Sequence, residues 1–275
     1  MTAQAIEVFA PAKINLTLHV TGQRADGYHL LDSLVMFADV GDRVTVARAS
    51  EMSLRVTGPM AAGVPDDARN LCWKAAEAFG EPVAITLDKH LPAAAGIGGG
   101  SSDAAAVLRG MEQLFGRPSG VHLPDLGADV PVCMLAHAAR MQGIGEQVTP
   151  LDLQPLDVIL VNPRVEVSTP AVFKALDRRD NPPMTPMPEG PRSRDVLTWL
   201  AEQRNDLEAP ASDLRPEIGQ VLRELSFLDG VRLVRMSGSG ATCFAVFESR
   251  GLHEVMAQEM RRNFPQWWVE YATLS

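Results

Sequence analysis

Early in the chain, apolar and polar side chains alternate in short runs, the pattern of strands with one buried face. Residues 14–20 (Ile-Asn-Leu-Thr-Leu-His-Val) alternate strictly. Thr21 and Gly22 end that run, and Arg24-Ala25-Asp26-Gly27 reads as a turn. Residues 30–40 are apolar enough for a second, buried strand, and alternation returns at 42–47 and 53–57.

The pattern then changes period. Residues 68–79 suit a helix, with Asp66 or Asp67 placed to cap it and Gly80 to stop it. A short strand is expected at 83–87 and a helix from 103 to 115. In that helix Val107, Leu108, Met111, Leu114 and Phe115 share one face, and Gly116 and Pro118 terminate it. Further on, 156–161 reads as a buried strand, and 181–191 as a proline-rich surface loop. Helices are expected at 193–203, 214–228 and 252–263, and strands at 233–236, 242–247 and 268–272. Composition shifts at 149–154, which predicts two domains, 1–150 and 151–275. Strands and helices occur in both, with hairpin-like strand runs early. That predicts an α+β fold rather than a regular βαβ repeat.

Composition narrows the chemistry. With 275 residues, 46% of them hydrophobic, the chain can bury a sizeable core. A net charge of −9 argues against a general nucleic-acid binder, which needs a basic face. A few local donors still suffice to hold a small anion. Cys72, Cys133 and Cys243 are far apart, which fits buried thiols in a reducing compartment and offers no zinc-ligand spacing. Residues 1–10 lack a basic region followed by an apolar run, and no stretch approaches a membrane span. A cytoplasmic protein is the expectation.

Four motifs carry candidate chemistry. The first is Pro92-Ala93-Ala94-Ala95-Gly96-Ile97-Gly98-Gly99-Gly100-Ser101-Ser102, set between a strand and a helix. Glycines leave backbone N–H groups unshielded and permit positive φ. A helix start adds unpaired donors and the positive end of its dipole. Ser101 and Ser102 are placed to cap that helix or to donate to a phosphate. The loop lacks the lysine of a Walker loop and the third glycine of the dinucleotide fingerprint. The second is Lys13, one of four lysines, in Pro11-Ala12-Lys13-Ile14-Asn15. On local sequence alone it is equally a snorkelling edge residue. The third is Asp129, a carboxylate in an apolar stretch that needs either a paired donor or a capping role. The fourth, Ser237-Gly238-Ser239-Gly240-Ala241-Thr242, reads as a tight turn or as a second set of backbone donors.

Taken in this order, and joined by Gly22-Gln23-Arg24-Ala25-Asp26-Gly27-Tyr28-His29, these motifs resemble the GHMP kinase superfamily. They most resemble the branch that acts on a cytidine-diphosphate-linked methylerythritol, and the likeness spans nearly the whole chain. The resemblance implies a ribosomal-S5-like N-terminal half carrying the ATP loop, and a ferredoxin-like C-terminal half completing the substrate cleft. It implies transfer of the γ-phosphoryl group of ATP, with Mg²⁺, to a tertiary 2-hydroxyl. Asp129 is then the catalytic base and Lys13 its charged partner. Tyr28 and Phe173 flank the cytosine ring, His29 bonds its edge, and Asn15 and Thr169 hold the rest of the substrate. Ser102 is a candidate Mg²⁺ ligand, with no metal residue fixed. In one respect the chain departs from the superfamily: residues 116–127 hold only a short, proline- and glycine-interrupted segment where a helix is usual. Kinases of the same superfamily acting on homoserine, mevalonate or a sugar are the alternative. So is a non-catalytic RNA-binding module, which the acidic charge opposes.

Overall fold

The computed structural model describes residues 4–188, 193–247 and 251–275. Residues 189–191, the end of the proline-rich stretch, and residues 1–3 therefore lie outside it. The chain begins with strands β1 (Ala5–Asn15), β2 (His19–Gln23), β3 (His29–Arg48) and β4 (Ser53–Thr57). Helix α1 (Leu71–Phe79), strand β5 (Val83–Asp88), and helices α2 (Gly99–Phe115) and α3 (Val130–Leu135) follow. Then come β6 (Ala139–Gly143), β7 (Gln147–Pro150), β8 (Leu156–Asn162), α4 (Thr169–Lys174), α5 (Ser193–Glu202), α6 (Glu208–Leu214) and α7 (Pro216–Ser226). Strands β9 (Val231–Met236) and β10 (Cys243–Phe247), helix α8 (Leu252–Asn263) and strand β11 (Trp268–Leu274) complete it. The mixture of antiparallel strands and helices is the α+β class expected.

Two compact units interleave along the sequence rather than meeting at one boundary. Met1–Lys13, Gly41–Ala93 and Gly98–Ala136 form the first; Ile14–Val40, Ala94–Ile97 and His137–Ser275 form the second.

In the first unit, the C-terminal part of β3 pairs with β5, which pairs in parallel with β4. Helices α1 and α2 close the core, with Cys72, Ala75, Ala76 and Phe79 from one and Val107, Leu108, Met111 and Leu114 from the other. Helix α1 starts later than the pattern suggests. Its cap is Asn70, whose Oδ1 accepts from Cys72 N at 2.9 Å, while Asp67 pairs with Arg69 instead. Helix α2 starts earlier than expected, inside the glycine loop. Glycine's poor helix propensity points to a later start, but Gly98 in the left-handed region (φ 64°) serves as N-cap without any side-chain cap bond. Ser101 and Ser102 thus sit inside the helix and do not cap it. Residues 116–127 contain a single 3-10 turn, Leu123–Asp125, in agreement with the abbreviated segment read from the sequence.

The run at 14–20 is neither one strand nor half-buried. Every residue from Ala10 to Val20 is buried, and pairing is interrupted at Leu16 and Thr17, whose N–H groups both donate to Leu34 O. Two of the polar members, Thr17 and His19, are satisfied inside. Thr17 Oγ1 accepts from Leu34 N at 2.8 Å, and His19 Nε2 accepts from Arg204 N at 3.2 Å. That bond leaves Nδ1 as the protonated nitrogen, donating to Pro182 O at 3.2 Å.

In the second unit, β8, β9, β10 and β11 form an antiparallel sheet in the order β11-β8-β10-β9, with α7 before β9 and α8 before β11. This is the split βαβ, or ferredoxin-like, arrangement. The helix expected at 214–228 runs from Pro216 to Ser226 and is separated from α6 by Arg215, which is extended (φ −141°, ψ 91°) because Pro216 disfavours the helical region for the residue before it.

Gly110 shows how tightly α2 is seated. A Cβ there would lie 2.7 Å from Val46 Cγ2 and 3.2 Å from Val8 Cγ2, both on stiff β-branched side chains. Gly110→Val should therefore destabilise by about 1–3 kcal/mol through overpacking, despite valine's better helix propensity. A urea midpoint at or above that of the parent chain would contradict this packing.

Candidate active site

Lys13, near the end of β1, is only 4% exposed, so it does not snorkel. A buried ammonium needs an anion, and Lys13 Nζ lies 2.7 Å from Asp129 Oδ1. Asp129 occupies the N-cap position of α3, yet its side chain makes no capping bond and turns to Lys13 instead. The capping alternative thereby falls. The carboxylate remains about one-third exposed, open to a ligand.

The same unit holds Gly98–Ser102. Gly98 is required both by its left-handed φ and by its close approach to Lys13, whereas a Cβ on Gly99 would make only ordinary contacts. A Cβ on Gly98 would come within 3.2 Å of Lys13 Cβ, and one on Gly99 would stand 3.6 Å from Lys89 Nζ. Ser102 N donates to Gly98 O at 2.8 Å, closing the first turn of α2. Ser102 Oγ is buried without a hydrogen-bond partner.

Lys89 was not singled out by sequence reasoning as a site residue. It is buried between Asp42, at 2.5 Å, and Asp103, at 2.8 Å. Burial chiefly, and then the Asp42 charge, raise the Asp103 carboxyl, against the opposing pull of Lys89. Burial alone would lower the Lys89 ammonium, but the two carboxylates raise it on balance. Asp103 Oδ1 is left without a partner. The available signal was the scarcity of lysine, together with an aspartate directly after the loop.

In the second unit, Asn15 is fixed by two bonds, its N–H to Ser237 Oγ at 3.0 Å and its Nδ2 to Ser33 Oγ at 2.8 Å. Asn15 Oδ1 is buried and unpartnered. Ser237 Oγ donates onward to Gly96 O at 2.9 Å, and Thr242 N donates to Ala95 O at 3.1 Å. The motif at 237–242 is thus a tight turn, closed by Gly240 N to Ser237 O, that grips Ala95 and Gly96. A side chain on Gly96 would collide with that turn. Thr169 Oγ1 pairs with Ser239 Oγ at 2.7 Å.

The candidate base-binding residues split in two. His29 and Phe173 are stacked, with ring centroids 4.6 Å apart and planes at 21°. Tyr28 is 60% exposed, which rules out a core aromatic. Cys72, Cys133 and Cys243 are free and buried, and burial raises each thiol, so none is an activated nucleophile.

Comparison with known proteins gives a consistent result. Residues 70–138 match the GHMP kinases N terminal domain, and residues 193–266 match GHMP kinases C terminal. The 4-diphosphocytidyl-2-C-methyl-D-erythritol kinase of Jannaschia sp. (strain CCS1) is 52% identical, over 99% of this chain and 98% of its own length. The protein of that name from Dinoroseobacter shibae is 54% identical, over 97% and 94%. A crystal structure of 4-(cytidine 5'-diphospho)-2C-methyl-D-erythritol kinase superposes with a TM-score of 0.80 at 34% identity, covering 98% of this chain and 99% of its own. Homoserine kinase from Cytophaga hutchinsonii, at 18% identity and a TM-score of 0.67, shares the fold.

Burial chiefly, with a contribution from Arg179, lowers His29 from its ordinary value of 6.5. The folded chain then binds fewer protons than the unfolded one at this site. The stability His29 contributes is whole above pH 6.5 and is lost as pH falls through the folded value. In an NMR titration its imidazole should be mostly neutral at pH 6.5; a midpoint at or above that value would contradict the burial described.

Proposed function

This chain belongs to the 4-diphosphocytidyl-2-C-methyl-D-erythritol kinases of the GHMP kinase superfamily, and on that footing we propose how its residues divide the work. The enzyme phosphorylates the 2-hydroxyl of 4-diphosphocytidyl-2-C-methyl-D-erythritol with ATP, in the non-mevalonate route to isoprenoid precursors. The ATP phosphates lie against the loop from Pro92 to Ser102. Gly98 and the first turn of α2 offer backbone N–H groups, with a dipole contribution of about 0.3–1 kcal/mol per charge.

The observation that carries the catalytic assignment is the Lys13–Asp129 pair, in which a carboxylate at a helix start leaves its capping role for a buried ammonium. Asp129 orients the acceptor hydroxyl and takes its proton. A carboxylate is far too weak a base to ionise a free alcohol beforehand, so the proton moves late, as the oxygen bonds to phosphorus. Lys13 fixes Asp129 and offsets charge as the phosphoryl group passes, since such transfer depends on positioning and neutralisation.

Phe173 and Tyr28 hold the cytosine ring between them, with His29 at its edge. Asn15 and Thr169 hold the rest of the acceptor. His29 stacks against Phe173, which brings the two residues assigned to the base together.

Mg²⁺ is the expected companion of ATP, held mainly by phosphate oxygens and water. The residues fit it at Ser102, whose buried Oγ lacks a partner and would supply one ligand. When bound, the ion would neutralise phosphate charge. As sequence domains we propose 1–150, binding ATP, and 151–275, completing the acceptor site, a division distinct from the two interleaved units. Among the described residues no helix is long and apolar enough to cross a membrane, and we place the enzyme in the cytoplasm with its ATP supply.

A coupled ADP-release assay tests the reading. Turnover is expected with 4-diphosphocytidyl-2-C-methyl-D-erythritol and not with mevalonate, homoserine or galactose; a preference for any of the three would overturn it. Asp129→Asn, which keeps an acceptor for Lys13, should lower kcat by about 10²–10⁴-fold with the KM for ATP unchanged. Near-normal turnover would remove Asp129 as the base.

A further inference from the structure

We propose that Lys89, Asp42 and Asp103 are positioning residues that fix the first turns of α2, and so its phosphate-facing N–H groups, against the strand leading into the loop. All three side chains are buried, at 3%, 0% and 2% exposure. Asp42 is anchored on β3. Its Oδ1 accepts from His90 N at 2.6 Å and Leu91 N at 2.9 Å, and its Oδ2 accepts from Lys89 Nζ. The backbone of Lys89 is pinned from both sides, its N–H donating to Thr57 O at 2.8 Å and its carbonyl accepting from Met60 N at 3.0 Å. From this fixed base the ammonium reaches Asp103 Oδ2, in the second turn of α2.

Two features give that tether its importance. Helix α2 lacks a side-chain N-cap, because Gly98 cannot supply one. Nothing at the cap position itself therefore sets where its first turn lies. And the cluster cannot work by attracting phosphate, since one ammonium between two aspartates has no surplus positive charge. A buried ion cluster is also weak as a source of stability, because desolvation offsets its Coulomb gain. Geometry is what it supplies. The start of α2 lies in contact range of the cluster: a Cβ on Gly99 would stand 3.6 Å from Lys89 Nζ.

The proposal rests on the loop being the ATP-phosphate site. Absence of ATP turnover by the parent chain would sink that reading, whereas the proposal is judged by variants relative to the parent. Asp103→Leu removes the tether but leaves Lys89 paired with Asp42, so no charge is stranded. It should raise the KM for ATP about tenfold, since sub-ångström misplacement of binding groups carries penalties of that order. The KM for the acceptor and the melting temperature should stay near the parent values. Asp103→Asn, which still accepts from Lys89, should restore the ATP KM. An unchanged ATP KM in a folded Asp103→Leu, or both KM values rising together, overturns the proposal. Should Asp103→Leu fail to fold, Asp103→Glu decides: it keeps the ion pair but displaces α2 by one methylene. A raised ATP KM at parental melting temperature supports the tether, and a parental KM overturns it.

Discussion

An ammonium group taken out of water must find an anion, and that requirement organises the first unit. Two of the chain's four lysines are buried there, and each is met by aspartate. Leaving such an ammonium with no anion at all costs about 3–5 kcal/mol, far more than an exposed pair contributes. Lys13 therefore dictates where Asp129 points, and Lys89 dictates where Asp42 and Asp103 lie. The start of α2 settles beside both lysines, and Gly98 is what its contact with Lys13 requires.

In the second unit neutral groups make the polar contacts that reach the loop, while buried charge sits elsewhere, in the Asp32–Arg140 pair and in Arg235. Asn15, Ser33 and Ser237 form a chain of hydrogen bonds that ends on the carbonyl of Gly96. His19 is kept neutral between an N–H and a carbonyl. Such networks hold geometry without buried charge, provided every member is satisfied. Of the buried atoms left without a partner there, Asn15 Oδ1 and His29 Nε2 belong to residues assigned to the acceptor, and His253 Nδ1 does not.

Much of this was legible in the sequence where local rules dominate. The strand at 53–57 and the helix at 252–263 lie where periodicity places them, because turn residues bound them. Lys13 and Asp129 were paired through the family resemblance; locally, each had an innocuous alternative that only burial and a distance could exclude. What escaped the sequence was tertiary. The 14–20 run alternates like a half-exposed strand, yet is wholly buried because its polar members find partners far along the chain. Helix α2 begins on glycines that propensity disfavours by about 1 kcal/mol each, because its N-cap is the left-handed Gly98 packed against Lys13. The break at Arg215 was readable from Pro216. Lys89 was not, since no local pattern tells a lysine facing solvent from one facing two aspartates.

The seating of Gly98 against the Lys13 side chain bears on affinity. Gly98 is held in its left-handed conformation by the fold's own packing against Lys13, so the ordering entropy of this turn is charged to folding. An arriving phosphate meets a preorganised surface and loses little to rearrangement there. Its binding constant should then report contacts and charge rather than a disorder-to-order transition of the loop.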